Sequence, residues 1–490
     1  MDRRVTARTA GVTGMGSAAC EASRGEQWEG RCVAVRWPHR LTQLGRMRDV
    51  LVRRDSAMNT SPAPTRRDFL RTSSTAAAVA LAAPGIILRE SAFAANTDTL
   101  KIGLVGCGGR GTGAAGNALT ADKNCVLTAV GDVFAGQAEG AVKGLKEQFG
   151  NRIAVTPESQ FIGLDAYQKV IDSGVDVILL ASPPGFRPAH LRYAVEKGKQ
   201  IFCEKPMATD PVGIRHVMES VKMAKEKKLN LVSGFCWRSD LPRRALYEKI
   251  REGAIGDVRA VYGTYLTGPV KPMPAADTRK PGVTDLEWQV RNWMNFSWLS
   301  GDGIVEQCIH TVDKLAWCMN DVPPIKCTAN GGRCVPNNQG NIYDHMTVVY
   351  EYAGGVRGVV AQRQIAGCYS DNSDYILGSK GYARSGWNNP EISGASRWRY
   401  QGEKPDMYVV EHQELFASIR GTGPRRFDGD WMVSSCLLGI MGRLAAYTGQ
   451  EVTWEQALNS QEKLSPEAPL SWDMNLGIMP LPVPGKYKLV

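Results

Sequence analysis

Between residues 100 and 234 of this 490-residue chain, short apolar runs alternate with segments of helical periodicity. Such runs are typical of strands that are buried on both faces, as in a parallel sheet. The apolar runs occupy residues 102–105, 126–130, 153–155, 177–181, 200–203 and 229–233, and the helix-compatible segments cover residues 136–149, 190–196 and 212–225. This alternation predicts an α/β domain with a doubly wound parallel sheet.

The pattern changes after residue 235. Helical segments near residues 241–252, 304–318 and 430–447 are mixed with strand-like runs at residues 346–352 and 356–361. The Ala-Gly-Gly sequence at residues 353–355 suits the tight turn of a hairpin. We therefore expect residues 95–234 to form the first domain and residues 235–490 to form an α+β domain with a mostly antiparallel sheet. The proline-rich end, residues 479–485, is expected to pack over the body or a neighbouring subunit.

The first 94 residues differ from the rest in composition and pattern. Residues 58–94 contain Arg66-Arg67, a weakly apolar run and a final Ala-Phe-Ala, which predict a twin-arginine export signal cut after Ala94. Residues 1–57 lack lysine and periodicity, and we interpret them as a spurious or disordered leader before a start at Met58. The prediction is a periplasmic protein carried by the machinery that exports folded proteins. An uncleaved membrane anchor is the alternative, although the run is short for a span.

Charge and cysteine usage exclude two classes of function. The chain has 59 basic and 49 acidic residues, but 15 arginines and only eight acidic residues precede position 95, so the remainder has a net charge of +3. Nucleic-acid binding is therefore not expected. Ten cysteines are scattered after residue 94 without a C-x-x-C pair, and we expect no structural metal. One or two disulfides stay open as an alternative to reduced, buried thiols.

A glycine-rich turn follows the first apolar run directly. Its residues are Gly106, Cys107, Gly108, Gly109, Arg110 and Gly111, which fit G-x-G-x-x-G before a helix-compatible segment. The first glycine permits the turn, the second lets the backbone approach a pyrophosphate, and the third lets helix and strand pack closely. The helix N-terminus then holds the phosphate charge. The turn predicts a dinucleotide site, and a glycine-rich turn that binds no phosphate is the alternative.

The second apolar run ends in an acidic residue at the spacing of a ribose ligand. Asp132 lies 21 residues after Gly111, where a carboxylate accepts hydrogen bonds from a ribose 2′-OH. A 2′-phosphate would be repelled there, so the residue favours NAD over NADP. A surface aspartate without a ligand is the alternative.

Glu204, Lys205 and Pro206 follow the predicted strand at residues 200–203. In a parallel sheet the carboxyl ends of the strands face the ligand crevice, so Lys205 would point towards the nicotinamide end of a dinucleotide. A solvated loop lysine is the alternative interpretation.

A second candidate segment lies near residue 304. A helix there would place Glu306, His310 and Asp313 on one face, at i, i+4 and i+7. A histidine between carboxylates suits a general base, because its pKa is tuned by their charge. A surface ion network and a metal site are the alternatives, and spacing alone does not decide among the three.

Together these motifs resemble the Gfo/Idh/MocA oxidoreductases, a family named for glucose–fructose oxidoreductase and inositol dehydrogenase. The resemblance covers roughly residues 100–485, and Ile-Gly-Asp-Val at residues 255–258 adds to it. It implies an NAD-binding Rossmann domain, a second domain with an open sheet, a homo-oligomer, and oxidation of sugar or cyclitol hydroxyls. The Gly-Ile-Val-Glu-Gln sequence at residues 303–307 and the segment at residues 441–449 resemble an exported subgroup of the family.

The resemblance also implies roles for individual residues. Lys205 would contact the reacting hydroxyl, His310 would be the base, and Glu306, where the family often has aspartate, would orient His310. The implied cofactor ligands are Gly106, Gly108, Gly109, Arg110, Gly111, Asp132, Ser182, Pro183, Glu204 and Lys205. The side chains expected near the sugar are Arg238, Trp293 and Asp313, together with Trp237 and Tyr343. A tryptophan packed in the core is the alternative for each Trp.

Three functions fit these observations. The first is oxidation of a secondary hydroxyl of a sugar, glycoside or cyclitol by hydride transfer to a tightly bound dinucleotide. The second is a glycoside hydrolase or lyase that uses bound NAD transiently, and the third is a non-catalytic dinucleotide or sugar sensor. An exported enzyme meets no soluble NAD pool, so either enzymatic function predicts that NAD is loaded before export and retained.

Overall fold

Six parallel strands form the first sheet, in the order β3-β2-β1-β4-β5-β6. The computed structural model describes residues 98–335 and 339–490, so the predicted leader and export signal lie outside the described residues. The strands are β1 (Leu100–Val105), β2 (Cys125–Asp132), β3 (Gln160–Ile162), β4 (Val177–Leu180), β5 (Gln200–Cys203) and β6 (Leu231–Ser233). This arrangement confirms the predicted doubly wound Rossmann sheet.

One predicted strand of this sheet is wrong. The run at residues 153–155 gives only an isolated bridge between Ile153 and Leu127. Ile153 is buried, which explains its apolar character, but the chain then turns through the short 3-10 helix Pro157–Ser159 before it pairs as β3. The apolar run therefore reflects the burial of Ile153 and not a strand.

Helices cover both faces of the first sheet. They are α1 (Gly109–Ala121), α2 (Ala135–Phe149), α3 (Ala166–Asp172), α4 (Arg187–Glu196) and α5 (Pro211–Glu226). Successive strand residues point to opposite faces. Leu179 accordingly packs in one apolar cluster with side chains of α1 and α2, whereas Leu180 packs in another with side chains of α3, α4 and α5.

Nine strands form the second sheet, in the order β14-β13-β12-β11-β7-β10-β9-β8-β15. The strands are β7 (Val258–Thr267), β8 (Lys326–Gly332), β9 (His345–Glu351), β10 (Arg357–Gln364), β11 (Asp374–Gly378), β12 (Gly381–Ser385), β13 (Glu391–Gly394), β14 (Trp398–Arg399) and β15 (Val452–Thr453). Only the pair β7–β10 is parallel among these strands. The predicted mostly antiparallel sheet is therefore confirmed, as is the predicted β9–β10 hairpin, in which Gly354 takes a φ of 71°.

Eight α-helices accompany this sheet in the described part of the chain. They are α6 (Leu241–Arg251), α7 (Asp285–Arg291), α8 (Ser297–Ser300), α9 (Gly303–Glu306), α10 (Ile309–Cys318), α11 (Met407–Ile419), α12 (Gly429–Thr448) and α13 (Trp454–Asn459). The helix expected over residues 304–318 is split into α9 and α10. The amide of Cys308 bonds to the carbonyl of Gly303, five residues back, which opens the helical turn. No helix within residues 98–335 or 339–490 has the length and apolarity to cross a membrane.

Helix α11 returns from the predicted second domain to the first. Its Leu415 and Phe416 are buried in the cluster that holds Ile102 of β1 and the buried face of α1. Next to them Arg420 pairs with Asp122 at 2.5 Å. Residues 235–490 therefore contribute a helix to the core of the nucleotide domain.

Candidate functional site

The glycines of the turn fall into two groups: some are required by close packing, and others leave space for a ligand. A Cβ on Gly106, which has a φ of 89°, would lie 2.6 Å from the backbone of Ala181, and one on Gly111 would lie 1.8 Å from the Gly106 carbonyl oxygen. By contrast, a Cβ on Gly108 or Gly109 would meet nothing within 4 Å. The open backbone at the N-terminus of α1 is therefore a cradle that fits a pyrophosphate.

A cleft of about 600 Å³ adjoins this turn, and its lining includes Asp132, Ser182 and Pro183. The Asp132 carboxylate accepts hydrogen bonds from the amides of Cys107, at 2.7 Å, and Phe134, at 2.9 Å. Burial raises its pKa. Each carboxylate oxygen has a second lone pair, so the group keeps acceptor capacity for ribose hydroxyls. The residues present therefore fit NAD.

His190 forms a fixed wall of the same cleft. Its Nδ1 lies 2.9 Å from the Ser182 hydroxyl oxygen, and its ring stacks on Tyr167 with centroids 4.0 Å apart. Burial lowers the pKa of His190 to about 3, with Arg187 adding repulsion. The imidazole is therefore neutral at physiological pH and serves to position Ser182.

The glycine turn is tied to the Glu-Lys-Pro segment by an ion pair. The Arg110 Nε lies 2.6 Å from Glu204 Oε1, and the Arg110 guanidinium lies 4.7 Å from the centre of the Tyr408 ring on α11. Also on α11, both carboxylate oxygens of Glu411 are buried without a hydrogen-bond partner in the described chain. Burial, and next the negative charge of Glu204, raise the pKa of Glu411 well above its usual value. Sequence reasoning missed this contribution because α11 lies about 300 positions from the turn.

Lys205 and Glu306, which the sequence analysis assigned to one catalytic site, contact each other. The Lys205 Nζ donates to the Glu306 carbonyl oxygen at 2.6 Å and to Oε1 at 3.1 Å. The other Glu306 carboxylate oxygen, Oε2, accepts a hydrogen bond from the side-chain Nε2 of Gln307. The expected contact that would orient His310 is therefore corrected: the Glu306 side chain bonds to Lys205 and Gln307. The physical reason is the opened turn between α9 and α10, which breaks the predicted i, i+4 spacing.

His310 lies at the start of α10 with the features of a neutral base. Its Nδ1 is buried and has no hydrogen-bond partner among residues 98–335 and 339–490. Burial, and next the positive charges of Lys205 and Lys314, lower the pKa of His310 well below its ordinary value. A neutral imidazole with a free ring nitrogen is able to accept a proton.

Two residues assigned to the substrate are engaged in a buried ion pair instead. The Arg238 Nη2 lies 2.8 Å from Asp313 Oδ1, and the same guanidinium bonds to Asp321 and lies 3.9 Å from the centre of the Trp431 ring. Asp313 is only 1% exposed and also accepts from the Ser435 hydroxyl at 2.7 Å. Their polar groups therefore have partners within the chain, and the substrate contact of Arg238 and Asp313 stays a prediction.

The predicted aromatic residues also have partners within the protein. Trp293 packs against an apolar cluster that contains Trp298. Tyr343 is buried and donates to the carbonyl oxygen of Pro482 at 2.9 Å. Trp237 lies beneath the guanidinium of Arg243, 3.7 Å from the ring centre. These contacts match the core alternative, and a role for these rings at the substrate stays a prediction.

Two glutamines that the sequence analysis missed lie on β10 beside the start of α9. Neither amide atom of Gln362, a buried side chain, has a hydrogen-bond partner in the described residues, and the same holds for Gln364 Nε2. Gly303 leaves room for them, since a Cβ there would lie 2.6 Å from Gln362 Nε2. The sequence did contain a signal for them. Gln362 and Gln364 lie at alternate positions after the buried Val360, on the same face of β10, where apolar residues are expected.

The described cysteines do not form disulfides. Ten thiols are free, and only Cys334 and Cys368 are exposed. In the described part of the chain one group has the composition of a metal site: the ligand atoms of Cys334, Asp344 and His345 lie within 4.8 Å of one another. It lies between β8 and β9, on residues outside the cleft lining and the Lys205–Glu306 contact.

Comparison with known families gives the fold and the cofactor class. Residues 100–235 match the profile of an oxidoreductase family with an NAD-binding Rossmann fold, and residues 244–384 match the Gfo/Idh/MocA C-terminal domain. Together the two matches cover more than half of the chain. The chain belongs to the Gfo/Idh/MocA family. Its glycine turn and Asp132 thus lie in an NAD-binding domain, as predicted.

Curated relatives within the family are named as inositol dehydrogenases. An inositol 2-dehydrogenase of Cereibacter sphaeroides is 29% identical over 343 residues, which span 68% of this chain and 90% of that protein. A myo-inositol 2-dehydrogenase of Thermotoga maritima is 25% identical and is covered over its full length, against 73% of this chain.

Solved structures of the family share the fold of this chain. A levoglucosan dehydrogenase in complex with NADH and levoglucosan has a TM-score of 0.57 at 19% identity, covering 73% of this chain and 99% of that one. The WlbA dehydrogenase of Bordetella pertussis, in complex with NADH and UDP-GlcNAcA, has a TM-score of 0.56 at 19% identity, covering 72% and 98%. At these identities the likeness concerns the fold alone.

Proposed function

We propose that this protein oxidises a secondary hydroxyl of a cyclitol, sugar or glycoside to a ketone, with NAD as the hydride acceptor. The observation that carries the proposal is the unpartnered, neutral imidazole of His310, whose pKa is lowered by burial and by the charge of Lys205. A base that is unprotonated at neutral pH and feels the positive charge of an ammonium group is suited to removal of a hydroxyl proton. The names of the inositol dehydrogenase relatives support this substrate class.

The two side chains divide the work on the substrate hydroxyl. His310 takes the hydroxyl proton as the carbonyl forms. Lys205 has three N–H donors and two acceptors in the described chain, both on Glu306, so one donor is left for the reacting oxygen. Bound NAD supplies the electrophilic C4 that receives the hydride. Glu306 fixes the Lys205 ammonium through a carbonyl and a carboxylate oxygen.

A polyhydroxylated substrate would also satisfy the polar groups left unpaired near α9. Buried amides almost always find hydrogen-bond partners, but both amide atoms of Gln362 and the Nε2 of Gln364 lack them among the described residues. Ring hydroxyls both donate and accept, which matches the two kinds of atom that an amide offers. We therefore propose that β10 contributes to recognition of the polyol.

The test is a substrate panel with purified protein comprising residues 95–490. NADH formation at 340 nm is followed with cyclitols, free sugars and glycosides, and a ketone product is identified by mass spectrometry. Release of an aglycone without net NADH would favour the transient-oxidation hydrolase instead. Binding of a sugar without either product, by a protein that also binds NAD, would favour the sensor.

Export to the periplasm is a separate proposal that rests on Arg66-Arg67 and the run up to Ala94. Fractionation of cells that express the full chain tests it, with the signal variant in which both arginines are lysines as control. We expect the wild-type protein in the periplasm and the variant inside the cytoplasm. A mature N-terminus at residue 95 would give the cleavage site.

A homo-oligomer is proposed from the second sheet. Strands β7, β11 and β12 carry Tyr262, Leu377 and Tyr382, each more than 40% exposed. Their exposure is unusual for large apolar side chains on neighbouring strands. Light scattering measures the mass in solution, and a Leu377→Glu variant is expected to be a monomer.

A further inference from the structure

The C-terminal segment crosses the cofactor cleft after it leaves the second domain. Pro469 and Leu470 line the cleft that also holds Asp132. Two residues on, the ring of Trp472 lies 5.9 Å from the ring of Phe134, which follows β2. The residue that ends β2 in such sites takes the ribose next to adenine. The segment therefore covers the adenosine half of the dinucleotide site.

Both ends of this segment are held by polar contacts that are at least partly buried. Before it, the Leu464 amide donates to Asp210 at 2.8 Å, and the fully buried Arg443 pairs with Glu462. After it, the Gln289 side chain donates to the Leu476 carbonyl oxygen at 2.9 Å. These contacts place the segment across the cleft, since neither end is free to move away.

Between these anchors the contacts with the rest of the protein are apolar. Residues 465–475 make no hydrogen bond to other described elements beyond the neighbouring Lys463. Leu470 and Trp472, like Phe134 and Leu164, pack against one buried apolar cluster. Apolar contacts are non-directional. The middle of the segment is thus able to lift and close again without breaking a polar bond to the body.

We propose that residues 465–475 form a strap that closes over the adenosine half of bound NAD and slows its release. The proposal rests on the NAD site of the proposed function, but not on the identity of the substrate. With the strap closed, NAD stays on the protein through successive turnovers.

The first test measures release of the cofactor itself. Purified protein is loaded with NADH, excess NAD is added, and the fall in bound-NADH fluorescence gives the release rate. The double variant Leu470→Ala/Trp472→Ala is expected to release NADH roughly tenfold faster, as for the loss of part of the apolar burial of one side chain. Ile478→Ala is the matched control, because Ile478 lies on the same tail, is 47% exposed and is outside the cleft.

Equal release rates in the double variant and the control would overturn the proposal. A second measurement needs no variant, should the double variant fail to fold: amide hydrogen exchange of the wild-type protein with and without NAD. We expect the amides of residues 470–475 to exchange more slowly with NAD, together with those of the glycine turn. Slowing at the turn alone would contradict the strap and leave the NAD site intact, whereas no slowing at either place would contradict the proposed function as well.

Discussion

The two ends of the candidate site are constructed differently. At one end, contiguous residues 106–111 offer backbone groups, and Asp132 completes the site from the adjacent strand. At the other end, Lys205, His310 and Gln362 come from separate elements, and their properties depend on burial and neighbouring charges. A backbone site leaves a local pattern in the sequence. A side-chain site is defined by contacts that only the folded chain contains.

The sharpest test of the side-chain end is His310→Ala. Loss of a positioned general base is expected to lower kcat about 1000-fold, within the usual range for such groups. Steady-state rates with the substrate found in the panel measure the effect. His216→Ala, an exposed histidine on α5, is the control and keeps the wild-type rate. A His310→Ala rate within a few-fold of wild type would remove the base from the mechanism.

Asp313→Ala separates a structural carboxylate from a substrate ligand. It removes one partner of the buried Arg238, and we expect a loss of about 3 kcal/mol in the free energy of unfolding. Urea denaturation measures it. Asp430→Ala breaks the exposed pair with Lys225 and is expected to change stability by less than about 0.5 kcal/mol. Unchanged stability with a raised KM would favour the substrate role of Asp313.

Two alanine substitutions in the glycine turn test the backbone end. Gly111→Ala places a Cβ against the Gly106 carbonyl and is expected to destabilise the protein by about 2 kcal/mol. Gly108→Ala meets open space, so we expect nearly unchanged stability but weaker NAD binding, because the methyl group occupies the pyrophosphate cradle. Thermal unfolding and NADH titration give both quantities. Equal NAD affinity in Gly108→Ala would contradict the position assigned to the phosphates.

The same contrast explains which features were predictable from sequence. The sequence predicts the strand before Gly106, the glycine turn and Asp132 correctly, because each depends on neighbours within a few dozen residues. The pairing of Lys205 with Glu306 joins residues 101 positions apart, so only a resemblance to relatives brought them together. The predicted contact between Glu306 and His310 was wrong because the opened helical turn near Cys308 rotates every later side chain about the helix axis. No residue type in the sequence marks such a turn.

The smallest expected effect concerns His412, a histidine that burial in the protein core keeps neutral. Its ring lies 4.2 Å from that of Phe202, and burial lowers its pKa to about 3. The unfolded chain, with an imidazole pKa near 6.5, binds more protons between these values, so stability falls as pH drops through this window. We expect His412→Leu to reduce that slope by at most about 1.4 kcal/mol per pH unit. Unfolding free energies at pH 4, 5, 6 and 7 check it, and an unchanged slope would mean that His412 is accessible to protons.

Helix α11 has a consequence for how this chain can be recombined. A crossover at residue 234 looks natural, because there the parallel sheet ends and a new architecture begins. A hybrid joined at that point, however, would give the nucleotide domain a foreign Leu415 and Phe416, the side chains that complete its core beside Ile102. Successful exchange of the second half of the chain would have to keep residues 407–428 together with the nucleotide domain that they complete. The nucleotide domain is therefore built from two separate stretches of the sequence, and a hybrid has to exchange or keep both of them together.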